Sequence, residues 1–141
     1  MTYTVEAKRV EAGPIAVVRG RASHADLPQR IRALFDEFYG GFKSKGQLNI
    51  VFYPGTGGDG EFDIECGAQM GSGGNSSTPA GPVAVTAYFG PYDRIGPAHE
   101  AIHQWARDNG RVLAGASWEV YGHWNDDPAK LRTDIFYLLS E

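Results

Sequence analysis

The 141-residue chain is 42% hydrophobic and 21% charged, the make-up of one soluble globular domain. Its net charge of −4 argues against a phosphate-backbone binder, which carries basic patches, and leaves cationic ligands as the better-matched class. One cysteine, Cys66, excludes an internal disulfide; no apolar run is long enough for a membrane span, and the N-terminus lacks the regions of a signal peptide, so a cytoplasmic location without membrane association is expected.

In chain order, Tyr3 to Val10 reads as a strand, Glu11-Ala12-Gly13-Pro14 as a turn, and Ile15 to Arg21 as a second strand. From Ser23 the apolar period lengthens. Leu27, Ile31, Leu34, Phe35, Phe38 and Phe42 recur at helical steps, with Ser23 or Asp26 as the cap, Pro28 in the first turn and Gly40-Gly41 at the end. Leu48 to Tyr53 is a strand, Pro54 to Gly60 a glycine-rich loop, and Glu61 to Cys66 a one-sided strand. Gly67 to Gly81 has the composition of a linker. Pro82 to Phe89 is a strand, and Gly90-Pro91-Tyr92-Asp93 a turn into a helix with Ile95, Ala98, Ile102, Trp105 and Ala106 as its buried stripe, closed by Asn109-Gly110. Trp118 to Trp124 and Thr133 to Leu139 are the last strands.

The halves repeat. Ala12 to Val17 aligns with Ala80 to Val85 at an offset of 68, and the same offset sets Ile50 to Tyr53 on Trp118 to Tyr121. Three further residues of offset set Asp63-Ile64 on Asp134-Ile135. The expected product is one α+β domain over residues 1–141. It holds two βαββ repeats, about 1–69 and 79–141, that form an antiparallel sheet with helices on one face and a ligand cleft between the repeats. Within Ser117-Trp118-Glu119-Val120-Tyr121, strand alternation puts Glu119 and Tyr121 on one face and Trp118 and Val120 on the other. Val51 stands where the second repeat has Glu119, so the architecture does not call for a carboxylate there. Glu119 either faces water or sits in an aromatic-lined pocket, where rings and charge together suit a cation or where the acid moves a proton.

His99-Glu100-Ala101-Ile102-His103 spells a zinc-protease motif on a helix, but both histidines flank the buried stripe and are expected to face its edge or solvent, so no metal is assigned. The glycine-rich segments fit neither phosphate-binding template, and no cofactor is assigned.

The combination Tyr88-Phe89-Gly90-Pro91-Tyr92, Ala101 to Trp105, Asn109-Gly110, Trp118-Glu119-Val120-Tyr121 and Arg132 to Tyr137 resembles the GyrI-like family. That family includes the effector-binding part of bacterial multidrug-responsive transcription activators. The resemblance covers about the last 60 residues strongly and the first half through topology. It implies a pocket for lipophilic, aromatic, often cationic small molecules, with the acidic residue on Glu119 and pocket aromatics at Tyr137 and at Trp118 or Tyr121; Tyr53 is a further ligand-binding candidate. Some stand-alone members are similar to hydrolases that open cyclopropane-bearing DNA-alkylating toxins with water; that alternative makes Glu119 the acid–base and Tyr137 its catalytic partner. With no helix-turn-helix region ahead of the first strand, direct nucleic-acid binding is not expected. A protein partner such as a gyrase is the third reading.

Overall fold

The computed structural model describes residues 3–41, 48–55, 57–58, 60–123 and 125–141, with 57–58 as backbone only. Phe42, assigned above to the first helix stripe, and Trp124, assigned to a strand, lie outside them, as do Thr56 and Asp59 of the glycine-rich loop.

The elements run β1 (Glu6–Val10), β2 (Gly13–Ser23), α1 (Leu27–Gly41), β3 (Asn49–Tyr53), β4 (Gly57–Gly58), β5 (Glu61–Gln69), β6 (Ser76–Thr78), β7 (Gly81–Phe89), α2 (Gly96–Asp108), β8 (Leu113–Tyr121) and β9 (Arg132–Leu139). The strands form one antiparallel sheet in the order β1-β7-β9-β8-β3-β5-β2-β6, with β4 paired to β5. Each half is thus a βαββ unit: β2-α1-β3-β5 and β7-α2-β8-β9. No helix among the described residues is long and apolar enough to cross a membrane.

The units meet along β3 and β8. Ile50 pairs with Val120, Val51 with Glu119 and Phe52 with Trp118. Because Val51 and Glu119 are also repeat counterparts, the pseudo-twofold axis passes through that pair. The register corrects the alignment of the last strand. Val51 pairs with Cys66 in the first unit and Glu119 with Ile135 in the second, so Cys66 corresponds to Ile135. The extra offset is therefore one residue, not three. The short Asp-Ile match that suggested three is outweighed by hydrogen-bond register, which a sheet specifies strongly when one face is buried.

Both helices lie on the face that carries Val51 and Glu119. Helix α1 packs on β2 and β5, and α2 on β7 and β9. Each helix buries the stripe its periodicity defined. Leu34 of α1 joins Ala22, Val51, Ile64 and Cys66; Leu27, Ile31 and Phe35 pack partly against them, and Phe38 is also buried. Ala98 and Ile102 of α2 are buried with Ala84, Tyr88, Ile135 and Leu139, and Ala106 is also buried. The opposite face of the curled sheet has a core of its own from Ile15, Val17, Ile50, Phe52, Val83, Trp118 and Val120. Burying each such large side chain contributes about 1.5–3 kcal/mol.

Two segments differ from expectation. The linker-like stretch is docked: β5 runs on to Gln69, β6 pairs with β2, and the Asn75 amide both accepts from Val17 N–H and donates to Val17 C=O, each at 2.9 Å. Its side chain substitutes for a strand neighbour, and Gly74 holds φ +87 where a Cβ would meet Ile15 O at 2.3 Å. Polar, glycine-rich composition hid a sheet edge. Strand β8 begins at Leu113 rather than Trp118 and ends at Tyr121. Its first residues are small and include Gly115 at φ +109, beside a register shift between Leu113 and Ser117, so they carry little strand signal.

Candidate functional site

Helix α1 packs mainly on β2 and β5 and α2 mainly on β7 and β9, so the central β3–β8 pair lies between the two helices. Alternation turns Ser117, Glu119 and Tyr121 of β8 to this side, with Val51 and Tyr53 of β3 beside them. Of the two readings left open for Glu119, exposure to water fails: the residue is only 6% exposed. A carboxylate so placed needs compensating hydrogen bonds, and it has them. Tyr121 O–H donates to Glu119 Oε1 at 2.5 Å, and His99 Nε2–H donates to Glu119 Oε2 at 2.6 Å. An ionised carboxylate only accepts, so Nε2 carries the proton between them, and the other ring nitrogen, Nδ1, lies 2.7 Å from Tyr137 Oη. The side chains form one chain, Tyr121–Glu119–His99–Tyr137, joining β8, α2 and β9.

Local sequence explains each placement. In α2, Ala98, Ile102 and Ala106 define the buried stripe, and His99 and His103 flank it. His99 is therefore the helix residue that reaches over the sheet, with its side chain 21% exposed. Of the two positions expected for the histidines, the edge of the stripe holds and solvent does not: His99 binds Glu119, and the His103 ring meets the Tyr137 ring edge-on at 5.1 Å. Among the described residues, no group of three or more potential metal-binding side chains assembles. The Gly90-Pro91-Tyr92 turn is held from both sides. Tyr88 O–H donates to Pro91 C=O at 2.7 Å and Gly90 N–H to Leu131 C=O at 2.9 Å. Gly90 has φ +147, and a Cβ there would meet Tyr88 Oη at 2.7 Å. That turn presents Tyr92, 40% exposed, edge-on to Tyr121 at 5.2 Å. On the first-unit side, Tyr53 neighbours Phe62, which neighbours His24.

The electrostatics follow burial. The Tyr137 phenol is pushed up to about 12, first by desolvation and then by the charges of Glu119 and Glu100. Burial, reinforced by Glu119, also raises Tyr121 and Tyr53. All three are therefore O–H donors at neutral pH. The Cys66 thiol is pushed up to about 12 by burial and then by Glu119, so it is no nucleophile at neutral pH. Thr133 is fully buried opposite Tyr121, and its hydroxyl finds no partner among the described residues.

Of the residues singled out from sequence, the structure brings together Glu119, Tyr121 and Tyr137, with Tyr53 on the same side. Trp118 does not join them. It lies on the other face, stacked on Phe136 at 5.3 Å and edge-on to Phe52 at 6.1 Å. Strand alternation separates it from Glu119. Sequence reasoning passed over His99 and gave Tyr92 no site role. The repeat held a signal for the first: His99 replaces Ile31, just as Glu119 replaces Val51.

No protein-family model and no curated protein sequence matches the chain. Solved structures do match, over nearly its whole length. The C-terminal domain of EcmrR matches with a TM-score of 0.74 at 22% identity, covering 100% of this chain and 99% of that one. In the EcmrR–DNA complex the chain spans 58% of the longer EcmrR chain. SAV2435 bound to tetraphenylphosphonium matches with a TM-score of 0.69 at 13% identity, over 99% and 94% of the two chains. A hydrolase from Listeria innocua matches with a TM-score of 0.58 at 12% identity, over 96% and 91%. The chain has the fold of the GyrI-like effector-binding domains.

Proposed function

We propose that the protein binds lipophilic, aromatic, cationic small molecules between its two βαββ units, with Glu119 as the charged anchor and Tyr121, Tyr137, Tyr53 and Tyr92 as the stacking wall. One observation carries this reading. A carboxylate stands on the pseudo-twofold axis of the sheet, between the two helices, and is only 6% exposed among tyrosines and a histidine. Rings attract a cation through their faces, and a desolvated carboxylate attracts it more strongly than one in water. The solved structure of SAV2435 with a lipophilic phosphonium lends support at the level of the fold. The test is a titration with a fluorescent lipophilic cation. The wild type saturates, and Glu119→Gln loses at least tenfold in affinity with its fold intact; equal affinity in the two proteins rejects Glu119 as the anchor.

A second reading is favoured by the hydrogen-bond chain itself. A carboxylate coupled through an imidazole to a phenol can move a proton. In a hydrolase opening an electrophilic cyclopropane, Glu119 takes the proton of the attacking water as the new C–O bond forms. The electron pair of the breaking ring bond passes to the conjugated acceptor of the toxin, and Tyr137 O–H protonates it. Multiple turnover of a cyclopropane-type alkylator, lost in Glu119→Gln, selects this reading; binding of the cation without turnover selects the first.

A further inference from the structure

We infer that His99 is the specificity-determining residue of the Glu119 site, an internal cation that competes with a cationic ligand for the same carboxylate oxygen. The inference rests on the reading of Glu119 as a ligand anchor and goes beyond it by assigning the ligand's competitor. The geometry is specific. Glu119 has two oxygens; Tyr121 holds Oε1, and His99 Nε2 holds Oε2 at 2.6 Å. A neutral hydroxyl does not cancel the carboxylate's charge, whereas an imidazolium does. His99 reaches from α2, on a side chain 21% exposed, so it is the partner able to withdraw without disturbing the sheet. Its other nitrogen faces Tyr137 O–H, which can accept from an imidazolium as readily as it donates to a neutral ring.

The titratable groups around this imidazole come from three elements. Glu119 and Tyr121 stand on β8, Tyr137 on β9, and Glu100 and His103 on α2 itself. Tyr121 and Tyr137 keep their protons well above neutral pH, so they do not compete for charge there. Histidine is the side-chain type that changes charge between pH 5 and 8. When His99 is protonated, Glu119 is already neutralised and a ligand cation must displace a full positive charge. When His99 is neutral, it gives up only a hydrogen bond. A cation that expels one proton on binding loses up to about tenfold in affinity for each pH unit of acidification. The site therefore prefers permanent cations at higher pH, and the penalty does not apply to uncharged aromatic compounds.

The experiment compares tetraphenylphosphonium with triphenylphosphine oxide, a neutral relative, from pH 5 to 8 by calorimetry. The proteins are the wild type, His99→Gln and His99→Lys. Glutamine keeps a neutral donor for Oε2, and lysine supplies a permanent charge. The wild type gains affinity for the phosphonium as pH rises. His99→Gln binds it with a shallower profile and, at pH 5, at least tenfold more tightly than the wild type. His99→Lys binds at least tenfold more weakly than His99→Gln throughout, and the neutral probe shows no slope in any of them. If the wild type and His99→Gln bind the phosphonium with the same pH profile, or the neutral probe follows the same slope, His99 is not the competitor, although Glu119 can still be the anchor. If none of the three, each shown to be folded by circular dichroism, binds either probe at any pH, the binding-site reading is overturned and the inference with it.

Discussion

In the first βαββ unit, Ile31, Val51 and Ala68 occupy the positions that the second unit gives to His99, Glu119 and Tyr137. Val51 and Ala68 have no measurable exposure, and Ile31 packs partly against the Val51 cluster. The same geometry thus has an apolar solution, present in the same molecule. Only the tyrosine is kept, as Tyr53 in one unit and Tyr121 in the other. Buried ionic groups rarely stabilise a fold more than well-packed hydrophobic residues of similar volume do. The polar set in the second unit is therefore not explained by what the sheet needs, which is why it carries the proposed site.

The largest effect comes from giving the first unit the second unit's charge. Val51→Glu places a carboxylate in a fully buried position, with Ile31 rather than a histidine above it and Glu119 directly across the strand pair. The expected loss is about 3–5 kcal/mol at neutral pH. Its pH dependence separates charge from crowding. Burial and the neighbouring carboxylate raise the introduced group's pKa in the folded state above its unfolded value, about 4.3. The charge penalty is therefore absent below pH 4 and grows as pH rises through 8. Urea denaturation of mutant and wild type at several pH values reads it; an equal loss at pH 4 and pH 8 means that the substitution fails by overpacking.

The converse change makes the second unit resemble the first. His99→Ile alone leaves a buried carboxylate with Tyr121 as its remaining partner, a loss of about 3 kcal/mol. Glu119→Val alone leaves the His99 and Tyr121 donors unmatched and costs about 2 kcal/mol. Together they reproduce the Ile31–Val51 pair, and the double variant is expected within about 1 kcal/mol of the wild type. Ligand binding is lost in both proteins that lack Glu119. If the two losses instead add, the chain Tyr121–Glu119–His99–Tyr137 is not an energetic unit, and the two halves differ only by independent substitutions.

Which parts of this were legible in the sequence follows from which forces write periodic patterns. Apolar period marked both helix stripes, and the repeat identified the two βαββ units, because burial acts at every turn and every second strand residue. Glu119 was legible because the repeat gave it an apolar counterpart. His99 was not, although the same comparison sets it against Ile31. Its motif drew attention to metal chemistry, and a helix residue at the edge of a stripe points to solvent or across to a neighbouring strand depending on helix placement, which periodicity leaves undetermined. Trp118 enters the pocket set through the family resemblance, whereas strand alternation sets it on the face opposite Glu119. The edge strand β6 was missed since Asn75 completes it through a side-chain amide, a contact with no compositional trace.

The smallest change at neutral pH is the one that tells how far the polar set extends. Tyr137→Phe removes the O–H that faces His99 Nδ1 and keeps the ring against His103. Water can reach an imidazole that is 21% exposed, so the loss at pH 7 is about 1 kcal/mol or less. The contrast grows in base. The folded-state pKa of Tyr137 is pushed up to about 12, above the unfolded value near 10, so the fold favours the protonated phenol. That preference costs stability as pH rises from about 10 towards 12, when the unfolded chain can ionise and the folded one cannot. The wild type should therefore lose about 1–2 kcal/mol more than Tyr137→Phe across that interval, Tyr53 and Tyr121 contributing equally to both proteins. Parallel denaturation curves from pH 9 to 12 would place Tyr137 outside the influence of Glu119 and confine the polar set to β8 and α2.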